Sequence, residues 1–171
     1  TILSDYIREL DKTKTKIRWV KPAGMHLTLK FLGEIDQVKA ERVIQELQET
    51  VRRYPCFSLT LRGTGTFPPG SRHPKVVWVG IQKDPTLMAL ACEIEDKMAQ
   101  LGFPREKREF TPHLTLGRVK SQAGIDSLVR RLKEDEAKPF GQMKVSRVTF
   151  FQSTLKPTGA EYTPLREFDL K

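Results

Sequence analysis

The sequence predicts an α/β fold of the α+β type: two lobes, duplicated antiparallel sheets with helices on their outer faces, and a central cleft. Three observations carry that prediction. The element order read from periodicity is α-β-β-α-β-β-α-β-α-β-β, which lacks the regular strand–helix alternation of a doubly wound parallel sheet. The tetrapeptide His-Leu-Thr-Leu occurs twice, as His26-Leu27-Thr28-Leu29 and His113-Leu114-Thr115-Leu116. The copies stand 113 − 26 = 87 residues apart, about half of the 171-residue chain, as a duplication into two similar lobes requires.

Each element has a local reason. Ile2, Leu3, Tyr6, Ile7 and Leu10 recur at helical spacing, and Ile17 to Val20 reads as a short strand after the polar linker Lys12–Lys16. Pro22-Ala23-Gly24 turns the chain into the first His strand, roughly Met25 to Leu32. Asp36 caps a helix reaching about Arg53, with Ile44, Leu47 and Val51 inward. Phe57 to Leu61 alternates as a half-buried strand, Gly63 to Pro74 reads as a loop, and Val76 to Ile81 as a well-buried strand.

Asp84-Pro85 is a cap followed by a first-turn proline. The helix it opens carries a stripe of Leu87, Leu90, Ala91, Ile94, Met98 and Leu101 and ends at Gly102. The second His strand is roughly Thr111 to Val119, followed by a helix around Asp126 to Glu134 with Val129 and Leu132 inward. Strands near Lys144–Ser153 and Glu161–Leu170, joined by Lys156-Pro157-Thr158-Gly159, close the chain. Residues 1–171 are thus expected to form one bilobal domain.

Composition narrows the class. The hydrophobic fraction is 38%, enough to bury a core, and no apolar run is long enough to span a membrane. A soluble cytoplasmic protein, a monomer without membrane contact, is expected. Cys56 and Cys92 lack C-x-x-C spacing and read as small buried thiols. Thirty basic against 21 acidic residues leave a net charge of +9, which favours a polyanionic partner, nucleic acid first.

The doubled motif carries the chemistry. On a β-strand it puts His and Thr on one face and both leucines on the other. One copy would be weak; two copies use two of the three His in the chain and are both entered through a turn or proline segment. His73, in Ser71-Arg72-His73-Pro74, lacks the following Thr and reads as a solvated loop residue.

Thr is a poor metal ligand, and no H-E-x-x-H, Cys pair or clustered carboxylate completes a metal set, so no metal or other cofactor is expected. Neither a G-x-S-x-G elbow nor a P-loop is present. Metal-free acid–base work by two imidazoles remains. Imidazole has a pKa of about 6.5, so one copy can serve as base and the other as acid near neutrality. Which copy takes which role stays open at this level.

Thr28 and Thr115 could donate to phosphate oxygens. Lys30, in phase with His26 and Thr28, could add positive charge. Arg118 offers a fork of donors suited to phosphate, but strict alternation puts it on the leucine side, unless a bulge at Gly117 turns it. Phe67, Phe110 and Phe151 are candidates for stacking on a base.

The residues around both motifs resemble the 2H phosphoesterases, specifically the RNA 2′,3′-cyclic phosphodiesterase or 2′-5′ RNA ligase group. The matching stretches are Ile17-Arg18-Trp19-Val20-Lys21-Pro22 leading to His26 through Gly33, Gly65-Thr66-Phe67-Pro68, Val76 to Gly80, Phe110 to Arg118, and Phe151 to Leu155 with Gly159 to Tyr162. The resemblance implies His motifs facing each other across a central groove. It also implies metal-independent hydrolysis of RNA 2′,3′-cyclic phosphate ends, tRNA fragments included, to 2′-phosphates. By the same resemblance His113 accepts a proton from water, His26 donates one to the leaving 3′ oxygen, and Thr28, Thr115 and Arg118 hold the phosphate. A first strand of Arg-x-Phe-x-Ala type, usual in the family, is expected to be missing. The alternatives are 2′-5′ ligation of tRNA halves by the same groups, and a non-catalytic RNA-binding module.

Overall fold

The computed structural model describes residues 1–171. In chain order the elements are α1 (Ile2–Asp11), β1 (Ile17–Trp19), a single 3-10 turn (Pro22–Gly24), α2 (Gln37–Val51), β2 (Phe57–Phe67), β3 (Val76–Ile81), α3 (Pro85–Gln100), β4 (His113–Val119), α4 (Ile125–Glu134), β5 (Pro139–Val145), β6 (Arg147–Lys156) and β7 (Gly159–Asp169). Strands β1-β4-β3-β2-β5 form one sheet and β6-β7 a hairpin. The pairings β1–β4, β2–β3, β3–β4 and β6–β7 are all antiparallel. The mixed class with antiparallel sheets and four helices is the one the sequence predicts.

The chain forms two compact units. The first comprises residues 1–28, 59–82 and 111–143. One face of its sheet is apolar: Val77 and Val79 on β3 are fully buried, as is Leu116 on β4, with Leu59, Leu61 and Leu114 beside them. Burying each such side chain contributes about 1.5–3 kcal/mol. Helix α4 lies on this face, because Thr64 Oγ1, on the residue paired with Val79, donates to the Leu132 carbonyl at 2.7 Å. Tyr6 of α1 is buried edge-on to Phe140, and its hydroxyl donates to Asp135 Oδ2 at 2.9 Å. Burial and that carboxylate push the Tyr6 phenol well above its ordinary range.

The second unit comprises residues 29–58, 83–110 and 144–171. Its core joins Val43, Leu47 and Val51 of α2 to Leu90, Ile94 and Met98 of α3 and to Phe150, Phe168 and Leu170. The sequence-predicted caps form as expected: Asp36 accepts from Lys39 N at 2.8 Å and Asp84 from Leu87 N at 3.0 Å. Each satisfies an amide that the helix itself cannot.

Several local expectations are corrected. The first His segment is not a strand over Met25 to Leu32; a single bridge, Leu27 to Leu114, ties it to β4. Residues 63–67, read as loop, continue β2, because a bulge between Leu61 and Thr64 interrupts the alternation without ending the strand. Strand β5 was not legible, since Gly141 and a short apolar run hide it. On α4 it is Leu128 and Leu132 that are buried, while Val129 is exposed. Cys56 and Cys92 are exposed, unpaired thiols rather than core residues. His26, Leu27 and Thr28 and the whole of the second motif fall in the first unit, while Leu29 opens the second. No helix is long and apolar enough to cross a membrane.

Candidate active site

The site is built on the sheet face opposite the buried leucines. Strand β4 carries His113 and Thr115 toward this face and Leu114 and Leu116 into the core. The Leu27–Leu114 bridge lays the first motif antiparallel along β4. Its register places His26 across from Thr115 and Thr28 across from His113. Residues directly opposite in such a pair share a face. Each imidazole therefore stands beside the hydroxyl of the other copy. The two His lie on the diagonal, where Cα atoms of an antiparallel pair are about 7–8 Å apart.

Both imidazoles are oriented in the same way. His26 Nδ1 lies 2.9 Å from the carbonyl of Gly24, and His113 Nδ1 lies 2.8 Å from the carbonyl of Thr111. A carbonyl can only accept, so each ring donates through Nδ1–H, and Nε2 is the ring nitrogen whose protonation can change while that bond is kept. In both cases the carbonyl belongs to the residue two before the His. The 3-10 turn at Pro22–Gly24 delivers one, and the Thr111-Pro112 segment the other. The turn and proline before the motifs have this role.

Arg118 reaches the same face through a bulge. On β3 and β4, Val77 pairs with Gly117 but Trp78 pairs with Thr115, so β4 holds one extra residue, Leu116. Val76 and Trp78 share a face, and Val76 pairs with Arg118. Arg118 is therefore on the His and Thr side, although simple alternation from Thr115 assigns it to the core side. Gly117 permits the close approach: a Cβ there would come within 2.6 Å of Ile17 Cγ2 and 2.8 Å of Trp19 Cε3.

An aromatic wall borders His113. The Phe67 ring meets the imidazole edge-on, 4.9 Å between centroids, and Trp78 packs against Phe67 at 5.4 Å and lies 6.2 Å from His113. Trp78 fits because Gly65, its partner on β2, has no side chain; a Cβ there would overlap the indole at 2.3 Å. Of the three stacking candidates, Phe67 is thus a support for His113. Phe110 is half-buried, and Phe151 packs edge-on against Tyr162 at 6.0 Å.

Lys30 requires correction. Its ammonium contacts both Glu95 carboxylate oxygens, at 2.9 and 2.8 Å, and the Pro104 carbonyl at 3.0 Å. Its side chain is only 7% exposed. All three donors are committed inside the second unit, so it is a structural cation and not a phosphate ligand. Burial works to raise the Glu95 pKa, but the bond from Lys30, the Glu106 N–H and the nearby cations outweigh it, and the carboxyl is held below its ordinary value.

His73 is an exposed loop residue, as the sequence predicts. Arg18 and Trp78 were missed as parts of this face. The signal for Arg18 was its position one residue before Trp19 in a short strand; its partner was not readable.

A sheet face with two imidazole–hydroxyl pairs and a guanidinium is of the two-histidine phosphoesterase class that the sequence resemblance implied. Comparison with known proteins agrees. The model of the 2′-5′ RNA ligase superfamily matches residues 5–156, and the chain belongs to that family. It is 33% identical to the RNA 2′,3′-cyclic phosphodiesterase of Methanothermobacter thermautotrophicus, over 98% of this chain and 92% of the relative. The protein of that name from Archaeoglobus fulgidus is 36% identical, over 98% and 96%. Among solved structures, TT0787 of Thermus thermophilus superposes with a TM-score of 0.79 at 26% identity, covering 98% of this chain and 91% of that one. Apo LigT of Escherichia coli does so with a TM-score of 0.73 at 29% identity, covering 99% and 90%.

Proposed function

We propose that the protein hydrolyses RNA 2′,3′-cyclic phosphate ends to 2′-phosphates by metal-independent acid–base catalysis between His26 and His113. The observation that carries this reading is the antiparallel apposition of the two motifs, with each ring steered by a carbonyl two residues upstream. Relatives named for this activity across nearly the full chain support it. So does an E. coli LigT structure in complex with 3′-AMP, 27% identical over 99% of this chain.

In the proposed step, His113 Nε2 takes a proton from water as the oxygen forms its bond to phosphorus. The bond from phosphorus to O3′ breaks, and His26 Nε2–H gives its proton to that oxygen. The product is a 2′-phosphate with a free 3′-hydroxyl, and the two rings then exchange protons with solvent to reset. The division into base and acid follows the family resemblance. Thr28, Thr115 and Arg118 donate to the nonbridging oxygens, where negative charge concentrates. Within this reading, ends on cleaved tRNA are a proposed source of substrate and the cytoplasm the proposed compartment. The same pair run in reverse would join RNA through a 2′-5′ linkage, but bulk water favours hydrolysis.

The test is incubation of a cyclic-phosphate oligoribonucleotide with the protein in EDTA. A 2′-phosphate product formed at the chelator-free rate is expected. Turnover lost under chelation, or no turnover at all, would sink the reading.

A further inference from the structure

Resting on that reading, we infer that Lys16, Arg18 and Lys120 extend the phosphate-holding Arg118 into a cationic ladder, and that these three bind the phosphodiester backbone of RNA upstream of the reacting end. Arg18 pairs directly with Arg118 across β1 and β4. One step further along the same ladder, Lys120 N donates to the Lys16 carbonyl at 2.8 Å. Alternation from Arg18 and Arg118 puts Lys16 and Lys120 on the face that carries His113 and Thr115. The face therefore runs from the imidazoles through two guanidiniums to two ammoniums, the last two steps about 6.8 Å apart along each strand.

Like charges placed directly across an antiparallel pair are destabilising. Several other cations of the chain are neutralised by carboxylates: Lys30 has Glu95, Arg53 has Glu93, Arg105 has Asp96 and Arg147 has Glu167. None of the four ladder cations has a carboxylate within ion-pairing distance. Three of them are exposed and Arg18 is half-buried. Two stacked like-charge pairs without internal counterions, in line with the phosphate site, fit an external polyanion. Chain length, rather than base identity, is what this surface would read.

The test compares two substrates: a nucleoside 2′,3′-cyclic monophosphate, which reaches only Arg118, and an oligoribonucleotide carrying the same cyclic end. For Lys16→Gln/Lys120→Gln, KM for the oligonucleotide should rise tenfold or more. Hydrolysis of the monophosphate should stay within twofold of the original. Binding of a labelled single-stranded RNA should also lose salt dependence, by about 0.7 in the log–log slope for each phosphate contact removed. Equal losses on both substrates, or an unchanged oligonucleotide KM and salt slope, would overturn the ladder. If the unaltered protein hydrolysed neither substrate, the catalytic reading would fail. The salt slope of the variant would still decide the ladder on its own.

Discussion

The two copies of His-Leu-Thr-Leu are identical in sequence but not in backbone. His113-Leu114-Thr115-Leu116 sits in a strand hydrogen-bonded on both edges, and its imidazole leans on Phe67 and Trp78. His26-Leu27-Thr28-Leu29 hangs from the 3-10 turn and touches β4 through one bridge. Yet the Nδ1 atoms of both rings meet a carbonyl at the same offset and nearly the same distance. Local sequence before the motif fixes ring orientation, whereas strand pairing fixes how firmly the motif is held. One imidazole is set on a rigid platform and the other on a segment with few ladder bonds.

The largest effect that would break this comparison is loss of either ring. His113→Ala and His26→Ala should each lower kcat by about 10²–10⁴-fold with unchanged circular dichroism and Tm. If one variant kept a near-native rate, the two copies would not be partners. Next in size is Gly117→Ala, which forces Ile17 and Trp19 away from β4 and disturbs the bulge that aims Arg118. We expect a loss of about 1–3 kcal/mol in stability and a matching fall in kcat/KM beyond what the melting shift explains. A neutral outcome in both would mean that the bulge does not set the arginine.

Phe67→Ala removes the edge contact to His113 and the packing against Trp78. A drop of about tenfold in kcat, with monophosphate KM unchanged, would show that the platform orients the ring; an equal response to Phe151→Ala would contradict that specificity.

The smallest effect on activity belongs to Lys30→Met, which should cost about 2 kcal/mol of stability and leave kcat/KM within twofold. Its pH signature is distinct. Because the Glu95 carboxyl is held below its ordinary value when folded, its contribution is complete above about pH 4.5 and disappears as pH falls through the lowered folded value. Denaturant unfolding of Lys30→Met should therefore show a flatter acid limb than the original. A catalytic loss exceeding the stability loss would return Lys30 to the phosphate.

Both helix caps, the long stripe on α3 and the face alternation of the motifs were legible because each depends on residues within a few positions of one another. Lys30 misled for the same reason. Its phase with His26 and Thr28 presupposes a continuous strand, and Glu95 and Pro104, which claim its ammonium, lie 65 and 74 residues away. Cys56 and Cys92 were misplaced because a thiol carries no local signal of burial. Strand β5 and the end of β2 were lost where glycine and a bulge interrupt the period of two.

The sequence by itself determined that two His-Thr faces exist, that leucines anchor them and that a turn or proline precedes each. Those are properties of neighbours along a chain, governed by a fixed side-chain period. Only the tertiary structure decided that the His and Thr of both motifs lie side by side in one unit, that Leu116 is the extra residue which puts Arg118 on the face of the imidazoles, and that Arg18 stands opposite it. Register between distant segments is set by how the sheet pairs and buries its leucines, and a single inserted residue exchanges the faces. No count along the chain contains that insertion.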